Sequence, residues 1–128
     1  MSNPWAPHIV GKDLDGGENE LFAYRTRDYR GAWVRWATPA YRLHQRTRSE
    51  IADWHAAMET TLTDPGLVAS APGGKWIYYR LGVLPEHYGE CYLAVVVRWN
   101  GAFGDIASAF AVDEVMPVPA ERIVVARP

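Results

Sequence analysis

Residues 38–65 (TPAYRLHQRTRSEIADWHAAMETTLTDP) constrain this chain more than any other stretch, because helix signals close them off at both ends. Thr38-Pro39 reads as a helix start. A threonine oxygen accepts from a free backbone N–H, and proline at the first helical position gives up an N–H that would be orphaned anyway. Asp64-Pro65-Gly66 reads as the stop. A second start at Thr47-Arg-Ser-Glu50 fits a capping box, so the spacing predicts a short helix jogging into a longer one. In the longer one Ile51, Trp54, Met58 and Leu62 recur at helical spacing and form a stripe that faces a core.

The rest of the chain reads as strand and turn. Residues 21–25 and 32–37 predict two short strands around a turn at 28–31, with Trp33 and Trp36 on opposite faces. After Gly66, strands are expected at 67–71, 75–81, 91–99, 106–112 and 122–126. The run CYLAVVVRW is the most apolar and should be central, and Asn100-Gly101 is a hairpin signal. The expected fold is therefore α+β, with N-terminal helices packed on a predominantly antiparallel four- to five-stranded sheet. With 128 residues, 48% of them hydrophobic, the chain suits one cored domain. Within it, residues 1–20 read as an irregular Gly- and Asp-rich arm pinned by Trp5, His8, Ile9 and Val10, and 21–128 as the core.

Several function classes drop out. Cys91 is the single cysteine, which excludes an intramolecular disulfide or a multi-cysteine zinc site; its apolar setting predicts a buried, inert thiol. There is no HExxH pair or acidic cluster at ligand spacing, so no metal is expected. With no P-loop, GxGxxG or GxSxG, nothing calls for a nucleotide cofactor or a serine hydrolase. No apolar run approaches the ~20 residues of a membrane span, and the first residues lack the pattern of a secretory signal, so the expectation is a cytoplasmic protein with no membrane partner.

The net charge is −2, yet seven arginines against Asp28 give +6 over residues 25–48 and leave −8 for the remainder. A local excess of that size attracts phosphates; it also suits a solvated surface. Within it His44 and Arg48 lie four apart, on one face of a continuous helix. A histidine that exchanges protons near neutral pH beside a guanidinium that holds phosphate is the combination needed to cleave RNA through its 2′-hydroxyl. His55, next to Trp54, reads as half-buried packing. It is eleven residues from His44, about 16 Å along a helix, too far to share a metal. In a strand at 75–81, Tyr78 and Arg80 share one face and Tyr79 takes the other, a pattern that suits base stacking and phosphate contact as well as ordinary packing. Ser108 is a small hydroxyl in an apolar strand.

The order of these pieces resembles the phage-associated nuclease-like domains of the barnase, EndoU, colicin nuclease and RelE type (PBECR type). LHQRTRSE, with His44, is similar to that family's His-Ile…Arg-His-Pro-Glu element, and METTLTDPGLV to its I-x-x-T-L-x-x-P-x-x-I helix end. IYYR matches its YYR strand, YLAVVV its apolar central strand, and IASAF stands where the family has V-T-A-Y. The likeness runs over roughly residues 32–112. It implies a metal-independent endoribonuclease of toxin or mobile-element character, in which His44 is the general acid/base, Arg48 and Arg80 bind phosphate, Ser108 orients it and Tyr79 shares the site. Arg46 and Tyr78 are further substrate contacts. RNA is the implied partner, with an immunity or antitoxin protein as a second. The chain departs from the pattern where Ser49 stands near the family's second histidine, and where Ser108 and Phe110 replace its Thr and Tyr. The alternative is a catalytically inactive RNA- or protein-binding domain of the same fold.

Overall fold

The computed structural model describes residues 22–126, so the arm expected over residues 1–20 lies outside the described residues. Two strands, β1 (Phe22–Arg27) and β2 (Trp33–Ala37), open the fold. Then come α1 (Thr38–Thr47), a 3-10 helix (Ser49–Asp53) and α2 (His55–Thr63). The remaining strands are β3 (Leu67–Ala71), β4 (Lys75–Leu81), β5 (Tyr92–Asn100), β6 (Phe103–Val112) and β7 (Ile123–Ala126).

All seven strands form one sheet in the order β1-β2-β6-β5-β4-β3-β7. This corrects the expected architecture in three respects. The helices are not N-terminal, because β1 and β2 precede them and join the sheet. The sheet has seven strands rather than four to five. It is also mixed, since β2 runs parallel to β6 through the pairs Val34–Gly104 and Arg35–Asp105 while the other neighbours are antiparallel. The physical reason is long-range. A hairpin at the start of the chain had no local signal for its partner, and it found β6, some seventy residues downstream.

The helical segment breaks into the two parts its spacing predicts, but by different means. Neither expected side-chain cap is made. The N-cap of α1 is Ala37 and Thr38 is already helical, with its buried hydroxyl unpartnered, while Arg48 enters the 3-10 turn without a side-chain cap. The break at Arg48 swings the stripe into place, and Ile51, Trp54, Met58 and Leu62 are all essentially inaccessible. They pack on one sheet face, against Tyr24, Val34, Trp36, Val68, Tyr78, Leu93, Val95 and Val97. Each such side chain contributes roughly 1.5–3 kcal/mol of transfer free energy.

At the turn between β1 and β2 a buried carboxylate ties this core together. Asp28 Oδ1 accepts from the backbone N–H of Arg30 (2.9 Å) and Ala32 (3.0 Å). Its Oδ2 accepts from Arg30 Nε (2.9 Å) and the Tyr78 hydroxyl (2.8 Å). The Arg30 guanidinium lies over Trp76 (4.3 Å) and Trp99 (4.5 Å). Opposite Trp99, position 104 has to be glycine, because a Cβ there would sit 2.5 Å from Val97 Cγ1 and about 3 Å from the indole.

A bulge at Ala107 keeps the two faces in register: Ile106 pairs with Val97 on the core side and Ser108 with Val96 on the other. No helix of the described residues packs on that other face, the open face. No described helix is long and apolar enough to cross a membrane.

A candidate nucleic-acid interface on the open sheet face

Strand alternation sends Tyr24, Thr26, Val34 and Trp36 inward, and therefore sends Arg25, Arg27, Trp33 and Arg35 to the open face. Register then extends this group across the sheet. Arg25 pairs with Arg35, Arg35 with Asp105, Asp105 with Arg98, and Arg98 with Lys75. The result is one row of side chains over five strands, holding four cations and one carboxylate, with Arg27 a fifth cation two residues along β1. Among the strand residues of this face Asp105 is the one acid.

The carboxylate is already engaged. Asp105 accepts from Arg35 Nε at 3.0 Å and from the Asn100 side-chain amide. Arg25, Arg27, Arg98 and Lys75 have no ion-pair partner among the described residues. Like charges opposite one another on a sheet are destabilising, so the row works against folding unless something else compensates. Aromatic rings do part of this. Arg25 and Arg27 lie over Trp33 at 5.1 and 4.4 Å, and Arg35 lies between Phe22 and Phe103 at 4.9 Å from each. These cation–π contacts hold the arginines against the sheet without neutralising their charge. Phe22, Arg25, Trp33, Arg35 and Phe103 line a shallow depression of about 170 Å³.

The residues expected to form a catalytic site are distributed rather than gathered. His44, half-buried against Trp36 (5.3 Å), lies 2.9 Å from the Ala109 carbonyl oxygen through Nε2. That carbonyl is on the edge of β6 that β2 no longer covers, so the imidazole donates where a strand would. The Ala109 N–H also lies 3.4 Å from Nε2, but the shorter contact favours donation to the carbonyl. Ser108, one residue along β6, faces the open side and pairs with Val96. Arg48 ends α1 in an exposed position, and Arg46, two residues earlier, is exposed as well. Arg80 is committed to the end of α2, donating to the Asp64 carbonyl (2.8 Å) and carboxylate (3.1 Å). Tyr78 is in the core with its hydroxyl on Asp28, while Tyr79 is half-buried on the open face, two strands from β6.

His55 Nε2 and the Tyr41 hydroxyl are 3.0 Å apart, and its ring lies 5.1 Å from that of Tyr24. Burial and the nearby Asp113 carboxylate push the Cys91 thiol above the ordinary cysteine range, which keeps it protonated.

The arginine excess is legible in the sequence; its geometry is not. The structure splits it three ways: Arg25, Arg27 and Arg35 to the open face, Arg30 to the tryptophan stack, and Arg42, Arg46 and Arg48 to α1 and its end. Lys75 and Arg98, outside the cluster in sequence, complete the row. Strand alternation could have placed each residue on a face; only the register could align them. Compared with family models, curated proteins and solved structures, the chain finds no significant match in any of the three.

Proposed function

We propose that this domain binds single-stranded RNA across its open sheet face. The observation that carries the reading is the row Arg25–Arg35–Asp105–Arg98–Lys75, a line across five strands of four cations and one carboxylate. A folded protein has no internal reason to align four like charges, whereas a phosphodiester backbone neutralises them along a line. Phe22, Trp33 and Phe103 line a depression on the same face against the arginines, and Phe103, 45% exposed, offers a ring that serves an unpaired base rather than a duplex.

The family resemblance points to RNA as the polymer and also implies cleavage. Cleavage needs an acid, a base and cations around one phosphate. Here His44 donates to a backbone carbonyl and Arg80 to Asp64, so the geometry supports binding better than turnover.

The test is fluorescence anisotropy with a labelled oligouridine 12-mer over a salt series, with the RNA run on a gel afterwards. Binding should weaken with salt, with log K falling by about 0.7 per decade for each phosphate contacted, a slope of roughly −2 to −3 for three or four contacts. Arg25→Ala and Arg98→Ala should each lower the slope by about 0.7. Salt-insensitive or absent binding overturns the reading. RNA cleavage that His44→Ala abolishes would replace it with the catalytic one.

A further inference from the structure

The open face has a second concavity, at the far end from the arginine–tryptophan group. Gly66, Leu67, Tyr79, Leu81, Tyr92 and Val115 line a cleft of about 370 Å³, with Arg80 at its side. Register explains why these residues meet. Leu67 pairs with Tyr79, Leu81 pairs with Tyr92, and all four side chains point away from the helices. The volume lies within the ~300–1,000 Å³ of small-ligand sites. Among the described residues no carboxylate lines the cleft, and the guanidinium beside it, that of Arg80, is held by Asp64.

Its chemistry is that of an aromatic slot with hydroxyl rims. The hydroxyls of Tyr79 and Tyr92 make no hydrogen bond with the other described residues. Burial raises the Tyr79 pKa, so the phenol stays neutral and able both to donate and to accept. A neutral ring with a free hydroxyl suits the face and edge of a nucleobase and offers little to a phosphate.

The cleft and the cationic row are parts of one surface. Three strand spacings of about 4.8 Å and four residues at about 3.4 Å separate Arg35 from Tyr79, a diagonal of about 20 Å. The floor between is Ser108, Val96, Ile77, Ala94 and Phe110, small or apolar throughout. A single strand of about five nucleotides spans that diagonal, close to the smallest single-strand footprints.

We propose that the Tyr79–Tyr92 cleft takes one base of the strand whose phosphates lie on the cationic row, so that RNA crosses the sheet diagonally. This rests on the RNA-binding reading and adds to it a base subsite, a direction and a minimum length.

The experiment compares oligouridines of 3, 6 and 12 nucleotides, and a 12-mer whose sugar–phosphate backbone lacks bases, on the wild type, Tyr79→Leu, Tyr79→Phe and Arg98→Ala. Tyr79→Leu keeps apolar bulk in the cleft but removes the ring, and circular dichroism checks that each variant folds. The wild type should gain about tenfold in affinity from 3 to 6 nucleotides beyond what the added charge gives in Tyr79→Leu. It should also prefer the 12-mer with bases by more than Tyr79→Leu does, with Tyr79→Phe falling between the two because it keeps the ring and loses the hydroxyl. Arg98→Ala should weaken all probes alike, the base-free one included. If Arg98→Ala weakens binding but Tyr79→Leu leaves length and base dependence unchanged, the subsite falls and the RNA reading stands. If no probe binds the wild type, both fall.

Discussion

Replacing Asp28 by alanine tests how much of this fold hangs on one carboxylate. Asp28 takes four donors: two turn amides, Arg30 Nε and the hydroxyl of the fully buried Tyr78. The ion pair itself contributes little, because the Arg30 side chain is 39% exposed and rehydrates when its partner goes. The Tyr78 hydroxyl has no such recourse and forfeits its acceptor, at about 1–3 kcal/mol. Each turn amide adds about 1 kcal/mol. The expected loss is about 3–5 kcal/mol, a large share of the ~5–15 kcal/mol that holds a domain folded. In a chain of this size it corresponds to a fall in Tm of about 12–20 °C. Urea unfolding followed by tryptophan fluorescence measures it. Tyr78→Phe removes one donor and leaves the carboxylate three, so it should lose only about 1–1.5 kcal/mol. In the double variant the two losses should fall short of additivity by about 1 kcal/mol or more. A loss below 1 kcal/mol for Asp28→Ala, or strict additivity in the cycle, would refute the view that these groups act as one buried network.

Alkaline pH should probe the same core. Burial raises the pKa of Tyr24, with the Glu59 carboxylate adding to the effect, and burial together with Asp28 raises that of Tyr78, both far above the ordinary value near 10. The folded state therefore holds these protons more tightly than the unfolded chain. Stability should be intact below about pH 10 and fall above it, by about 1.4 kcal/mol per pH unit for each of the two phenols. Urea midpoints that stay flat well above pH 10 would contradict this. His44→Ala removes the donor on the Ala109 carbonyl and a ring from Trp36, so thermal melting should show a loss of about 1–2 kcal/mol. RNA affinity should stay within about twofold; lost affinity at unchanged stability would return His44 to the site.

Local patterns told a good deal about this molecule. The stripe at Ile51, Trp54, Met58 and Leu62 and the strands Leu67–Ala71 and Lys75–Leu81 follow from periodicity, which is a property of neighbouring residues. What periodicity does not contain is pairing between distant strands. Nothing near Val34 or Arg35 announces Gly104 and Asp105 as parallel partners, so the sheet was expected two to three strands too small. The same blindness hid the charged row, whose members are spread from Arg25 to Arg98. Helical spacing placed His44 and Arg48 on one face, but it could not say that the imidazole meets a strand edge. Motif order puts Tyr79 and Ser108 in one site; register sets them on the same face, two strands apart.

The seam between β2 and β6 has a consequence for how the chain assembles. The strands from β3 to β6 form a meander whose contacts are close in sequence, and the β1–β2 hairpin is equally local. Two ladder pairs join them along the strands, across a loop of about seventy residues, with the half-exposed Arg35–Asp105 ion pair beside them and the Asp28–Tyr78 bond tying the hairpin turn to β4. Closing so long a loop carries its full entropic penalty before those few contacts return anything. Loop-closure entropy therefore predicts that docking of the hairpin on the meander across the seam comes late in folding. Only with that last step do the charges of β1 and β2 fall into line with those of β4 and β5. The binding row is thus a property of the finished sheet, absent from either half.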